Sequence, residues 1–392
     1  MEIILPFLII RYQQQMMVHI PSFAIDLDSD GDIDIISSAY DVGSIAWHEN
    51  DGNGNFIFHS FVAPEATNTR AIFAVDMDGD GDIDIIVGSY SHGIHWYEND
   101  GSQSFTERMV ATPAYTMTIF AIDLDNDGDI DVISGSYTDG KIEWHANDGS
   151  QGFTTSLIAT QVGTISVFAI DLDGDGDMDV ISGSKSQGVD IIWGENDGSG
   201  SFTTNVVITD GDYMSSVFAI DFDNDGDIDI ISASFDHFTI AWHENDGSQG
   251  FTTHVIDTVA DTGSVSYYQI AVFSIDVDDD GDIDLIVSSE QDNLIVWYEN
   301  NDNQIFQKHT IATTAVGMRS VFAIDLDNDA DIDIISASAG NGEVAIYVSD
   351  SSTFIDDNSD MPSAQSFEKI TGVVWIATHF SFMGYLAYKY VV

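Results

Sequence analysis

The chain contains no cysteine, so neither a disulfide framework nor a thiolate metal site is open to it. Basic residues are nearly as scarce: 9 Lys and Arg stand against 67 Asp and Glu in 392 residues, a formal charge of −58. A surface of that sign repels nucleic-acid phosphate and anionic lipid, which argues against both as partners. Also missing are a G-x-S-x-G elbow, a Gly-rich phosphate loop opening a helix, and any helical periodicity. No catalytic constellation stands out, and the expectation is a chain that is not an enzyme. Apolar residues are not scarce. They make up 44% of the chain, with 23 Phe, 14 Tyr and 7 Trp, enough for a packed core despite the charge. Self-repulsion on this scale opposes compaction, and bound cations are the natural means of neutralising it.

The two ends read differently from the middle. The apolar run from Ile3 to Ile10 follows Glu2 and is not followed by a small-residue cleavage site, so it does not read as a signal peptide. A polar stretch, 349–369, precedes an apolar segment, 370–392, that is long enough to span a bilayer. Its Thr, Ser, His and Gly residues make it a poor span, and a docked terminal strand or hairpin is the preferred reading over membrane anchoring.

Between the ends lies a repeat. An F-(A/S)-(I/V)-D signature begins at Phe23, Phe73, Phe120, Phe168, Phe218, Phe273 and Phe322, at intervals of 47 to 55 residues. A period of this length built from short β-type runs is the mark of a propeller blade. In the fifth unit, Val217–Ile220, Ile228–Ala233, Thr239–His243 and Phe251–Ile256 read as four strands separated by turn residues such as Asn245, Asp246 and Gly247. Seven such units predict an all-β, seven-bladed propeller of four-stranded antiparallel blades over residues 12–348. The seventh unit has no clear fourth strand, whereas Gln14 to Ile20 resembles the fourth strands FTTHVI and FTTNVVI. The N-terminal strand is therefore expected to complete the last blade and close the ring.

Six units carry D-x-D-x-D-G-D-x-D, and the seventh carries it with Ala in place of Gly. The sets are Asp26, Asp28, Asp30, Asp32 and Asp34; Asp76, Asp78, Asp80, Asp82 and Asp84; and Asp123, Asp125, Asp127, Asp129 and Asp131. They continue with Asp171, Asp173, Asp175, Asp177 and Asp179; Asp221, Asp223, Asp225, Asp227 and Asp229; Asp276, Asp278, Asp280, Asp282 and Asp284; and Asp325, Asp327, Asp329, Asp331 and Asp333. Counting from the first Asp, carboxylates fall at positions 1, 3, 5 and 9, a backbone carbonyl at 7 and Gly at 6, which is the hard-oxygen spacing of a calcium loop. Position 4 is Ser29, Gly79, Asn126, Gly174, Asn224, Asp279 or Asn328, all tolerant of tight turns. An EF-hand is excluded, because position 12 is Ser or Val and β-type runs flank the loop. Asp runs that merely solvated loops would need neither this spacing nor the Gly. Magnesium fits less well, since it demands a rigid octahedron and keeps several waters. The seventh loop has Ala330 at position 6 and is expected to be the weakest site. Seven Ca²⁺ ions would bring 14 positive charges and take −58 to −44.

These units resemble the FG-GAP or VCBS repeats of bacterial surface proteins, and their arrangement is similar to the integrin α-subunit propeller. The resemblance covers about residues 12 to 348. It implies structural calcium between the first two strands of each blade, with Asp32 and its equivalents contributing the carbonyl, and an extracellular or cell-surface setting.

A second signature, I-x-W-(H/Y)-E-N-D-G, recurs at Trp47, Trp96, Trp144, Trp193, Trp242 and Trp297. The Trp read as packing between blades in preference to sugar platforms. His48, His145 and His243 follow three of them, but Gly194 in the same place argues against a metal or catalytic role. The Asn-Asp-Gly runs read as hairpin turns with at most a supporting contact to the loop. Variable connections, above all Asp257 to Gln269 with Tyr267 and Tyr268, are expected to bind glycans or surface proteins. Similar propellers occur in fungal lectins, and also in polysaccharide lyases and sugar dehydratases, which leaves an enzyme or a surface scaffold as the alternatives.

Overall fold

The computed structural model describes residues 8–13 and 22–349 apart from short stretches of the connections, the longest being 259–269. The polar linker beyond Ser349, the apolar C-terminal segment, Gln14 to Ile20 and the paired tyrosines at 267 and 268 lie outside the described residues. Among those described there is no helix, and so none long and apolar enough to cross a membrane.

The chain forms seven four-stranded antiparallel sheets set around one axis, a seven-bladed propeller. In the fifth blade the strands are Met214–Ile220, Asp229–Ser234, Thr239–Asn245 and Phe251–Thr258, each hydrogen-bonded to the next. First strands of neighbouring blades face one another around the axis. The seven signature Phe form a continuous ring there, with neighbouring ring centroids 4.8 to 6.0 Å apart and Phe322 completing the circle against Phe23. Tilted aromatic contacts at such distances add to the area they bury.

The residue patterns follow from position. Second strands, such as Asp229–Ser234, are buried along their whole length because blades cover both faces, and they carry continuous β-branched runs ending in small residues. The small residues are a steric requirement: a Cβ on Gly135 would lie 2.5 Å from Thr164 Cγ2 of the next blade. Fourth strands lie outermost and expose their Thr-rich faces, as in Phe251–Thr258.

The last blade consists of Met318–Ile324, Asp333–Ser338 and Glu343–Val348, with Leu8–Gln13 as its outer strand. Leu8 stands opposite Val348 and Gln13 opposite Glu343. This strand lies just N-terminal to the segment expected in that place. The first blade meets the last through further contacts: Asn50 Nδ2 donates to Leu326 O at 3.0 Å and Asn328 Nδ2 to Asp32 Oδ1 at 3.4 Å.

Candidate metal centres and the neighbouring cleft

Each aspartate loop links the first strand of a blade to the second, and its fold follows from its own carboxylates. The position-1 side chain accepts two backbone N–H groups: Asp26 Oδ1 takes Asp30 N–H at 3.1 Å and Oδ2 takes Gly31 N–H at 3.0 Å. The position-5 side chain accepts from position 7, as Asp30 Oδ1 does from Asp32 N–H at 3.0 Å. Both arrangements recur in all seven loops. They wind the loop through left-handed backbone at positions 4 and 6. Ser29 has φ 63° and Gly31 φ 100°, and the equivalents match, Ala330 included at 75°.

The position-9 Asp is the buried floor. Asp34 is fully buried and accepts N–H from Leu27 at 3.0 Å and from Asn50 at 2.7 Å. Burial pushes this carboxyl up to about 7 at Asp34, Asp84, Asp131, Asp229 and Asp284, and to about 8 at Asp179 and Asp333. Asp278 at position 3 is likewise raised to about 7, first by burial and then by the charge of Asp280.

The carboxylates converge. Oxygens of Asp26, Asp28 and Asp34 lie within 4.8 Å of one another, as do those of Asp76, Asp78 and Asp84, of Asp123, Asp125 and Asp127, of Asp171, Asp173 and Asp179, and of Asp221, Asp223 and Asp225. These clusters could hold a metal ion, and an all-oxygen donor set of this kind fits a hard divalent cation. The position-7 carboxylates lie elsewhere. Asp32 sits against the hairpin glycine so closely that a Cβ on Gly52 would fall 2.3 Å from Asp32 Oδ2, and Gly101, Gly149, Gly198 and Gly247 face Asp82, Asp129, Asp177 and Asp227 in the same way.

The hairpin Asn has a role that its turn motif did not reveal. Asn50 Nδ2 bonds Ile33 O of its own loop and also Leu326 O of the preceding blade's loop. Asn147, Asn196 and Asn245 likewise reach Met77, Leu124 and Leu172 of the blades before them. Adjacent loops are thus joined by one side chain. The repetition of Asn-Asp-Gly was the visible signal, but only the ring places its amide between two blades.

All six signature Trp are buried. His48, His145 and His243 are core residues: His145 sits between Ser134 Oγ at 2.8 Å and Thr155 Oγ1 at 2.9 Å, and burial pushes His48 and His145 down to about 4. Sequence reasoning missed the residues two places after Trp. Glu49 meets His59 of the fourth strand at 2.5 Å, and His59 stacks on Trp47 with centroids 4.5 Å apart. The same Glu–His–Trp stack recurs at Glu244, His254 and Trp242 and at Glu299, His309 and Trp297, while Arg108 replaces His in the second blade, paired with Glu98 over Trp96. Beside the first stack is a cleft of about 390 Å³, lined by Asp28, Trp47, Glu49, His59 and Ser60 of blade 1 and by Ser102, Gln103 and Phe105 of blade 2.

A family model described as FG-GAP-like repeat matches residues 26–87, 76–134, 123–182, 171–232 and 276–336, well over half of the chain. No curated protein sequence matches it. Among solved structures, it is similar to an Agrocybe aegerita lectin described as specifically recognising non-reducing terminal N-acetylglucosamine. The two share 18% identity with a TM-score of 0.53, over 80% of this chain and 82% of that one. It is also similar to BBS1N from a complex with ARL6DN, at 8% identity and a TM-score of 0.62 over 89% of this chain and 98% of that one. At these identities the likeness is one of fold.

Proposed function

Since the chain belongs to the FG-GAP-like repeat family, we propose that it is a calcium-binding, extracellular propeller that serves as an adhesion or carbohydrate-binding module and not as a catalyst. Calcium would be held by the carboxylates at positions 1, 3, 5 and 9 and the carbonyl at 7, and its charge would replace the protons that the raised position-9 carboxyls otherwise retain. The carbohydrate reading rests on the cleft between blades 1 and 2. His59 offers an aromatic face, Glu49 and Asp28 offer acceptors, and Ser60, Ser102 and Gln103 offer hydroxyl and amide groups, the mixture that sugar C–H faces and hydroxyls require. The N-acetylglucosamine recognition described for the similar lectin supports the same direction.

Asp28 belongs both to the cleft and to the first aspartate loop, so filling the loop should order the cleft. A glycan array probed with purified protein in millimolar calcium, and again in EDTA, tests this. Calcium-dependent binding to a defined sugar class is expected, and Glu49→Ala should abolish it. A blank array alongside a fold sensitive to chelation would move the function to protein adhesion or scaffolding.

A further inference from the structure

The ring closes between blade 7 and blade 1, and the apolar contact around the axis is widest there. Phe23 and Phe322 stand 6.0 Å apart between centroids, against 4.8 to 5.7 Å for the other neighbouring pairs of the circle. The polar contact between neighbouring loops shows the reverse order. Asn50 Nδ2 reaches Leu326 O at 3.0 Å, whereas Asn147, Asn196 and Asn245 reach the loops before them at 3.3, 3.4 and 3.5 Å. Among the described residues, the side-chain amides of Asn99 and Asn300 donate only within their own blades, to Ile83 O and Ile283 O.

Three hydrogen bonds connect the floor of the first aspartate loop to the floor of the seventh. Asn50 N–H donates to Asp34 Oδ1 at 2.7 Å, its side-chain amide to Leu326 O at 3.0 Å, and Leu326 N–H to Asp333 Oδ2 at 3.0 Å. Asn50, Asp34, Leu326 and Asp333 are all buried, so water does not compete for these groups. A second contact runs in the same place near the surface. Asn328, at position 4 of the seventh loop, donates from Nδ2 to Asp32 Oδ1 of the first at 3.4 Å. The two loops therefore hold each other through one short buried path and one longer exposed contact. The seventh is also the strained one, since Ala330 keeps φ at 75° where its counterparts are glycine.

Resting on the calcium reading of the loops, we propose that the first and seventh loops are a coupled pair in which an ion in the first raises the affinity of the seventh, with Asn50 and Asn328 as positioning residues. Neither side chain supplies a ligand. An ion that fixes Asp34 also fixes the Asn50 backbone, and through its amide it fixes Leu326, which orients Asp333. The floor of the seventh loop is then ordered in part before its own ion arrives. Such a path through contiguous hydrogen bonds is a physical basis for a coupling free energy between two sites. Filling the pair would strengthen the ring at the point where its Phe packing is widest.

Native mass spectrometry of the intact chain across a calcium series, counting ions one by one, tests the pair. Asp327→Asn, which removes a carboxylate of the seventh loop, should delete the last step and so assign it. Asn50→Ala leaves every ligand in place and should weaken that step about fivefold or more, and Asn328→Gly should weaken it in the same direction. Two controls should leave the step unchanged. Asn99→Ala removes the equivalent amide from its own-blade carbonyl, and Asn126→Gly makes the position-4 exchange in the third loop. Circular dichroism checks that each variant is folded. Should Asn50→Ala fail to fold, Asn328→Gly decides, because Gly79 and Gly174 already occupy position 4 in two loops. A last step unchanged in both variants, or weakened equally by Asn99→Ala, overturns the coupling and leaves the calcium sites standing. A wild type that stops at six ions, a number Asp327→Asn does not alter, also overturns it, and a chain that takes up no calcium overturns both readings.

Discussion

Ala330 holds φ at 75° where the six other loops place glycine at 96° to 100°. Nothing lies within 4 Å of a Cβ built on those glycines, so the cost of alanine is backbone strain and not a clash. Ala330→Gly should stabilise the protein by about 1 kcal/mol in urea unfolding and tighten calcium at the seventh loop. A neutral or destabilising result would mean that the loop has relaxed around alanine. The departure of Ala330 was legible in the sequence because six copies stand beside it. The burial of position 9 was not, since only the fold sets Asp34 beneath the loop. That burial predicts a pH dependence. The position-9 carboxyls titrate near 7 or 8 in the folded chain, against an ordinary value of 3.8, so the folded state keeps protons that the unfolded state releases. Stability of the metal-free protein is therefore fully present below about 4 and lost as pH rises through about 8. In EDTA, urea midpoints should fall between pH 5 and pH 8, and calcium should abolish the fall. Midpoints that rise over this range in EDTA would contradict the burial.

Within a blade, strands and turns could be read from period and turn chemistry because every contact that sets them is local. Contacts between blades could not. Asn50 and Leu326 lie at opposite ends of the chain, and the amide that joins them looks in sequence like an ordinary turn former. Asn196→Ala removes donors to Met178 O and Leu124 O and leaves both carbonyls short of a partner, at a cost of about 1–3 kcal/mol. Asn300→Ala, whose amide bonds Ile283 O within its own blade, should cost less. Equal losses in denaturant unfolding would show that the inter-blade bond adds nothing. We also propose that the strand Leu8–Gln13 locks the last blade. Deleting residues 1–20 would leave Glu343–Val348 as a bare sheet edge, and light scattering should then report aggregation. A truncated protein that stays monomeric and equally stable would remove that role.

For the molecule as a whole, the aspartate loops gather on one rim, each linking the first strand of its blade to the second. The seven loops contribute 36 of the 67 acids to one rim. The loops were legible because ligand spacing is a local code. The ring of seven Phe was legible only in part, its signature visible from the start but its closure apparent only around the axis. The central claim is that the loops are calcium sites, and native mass spectrometry of the folded chain in calcium tests it most directly by counting ions. Six or seven bound Ca²⁺ per chain, removed together with the fold's added thermal stability by EDTA, is the predicted result. A folded chain carrying none, or one, with a melting point indifferent to EDTA, would contradict it.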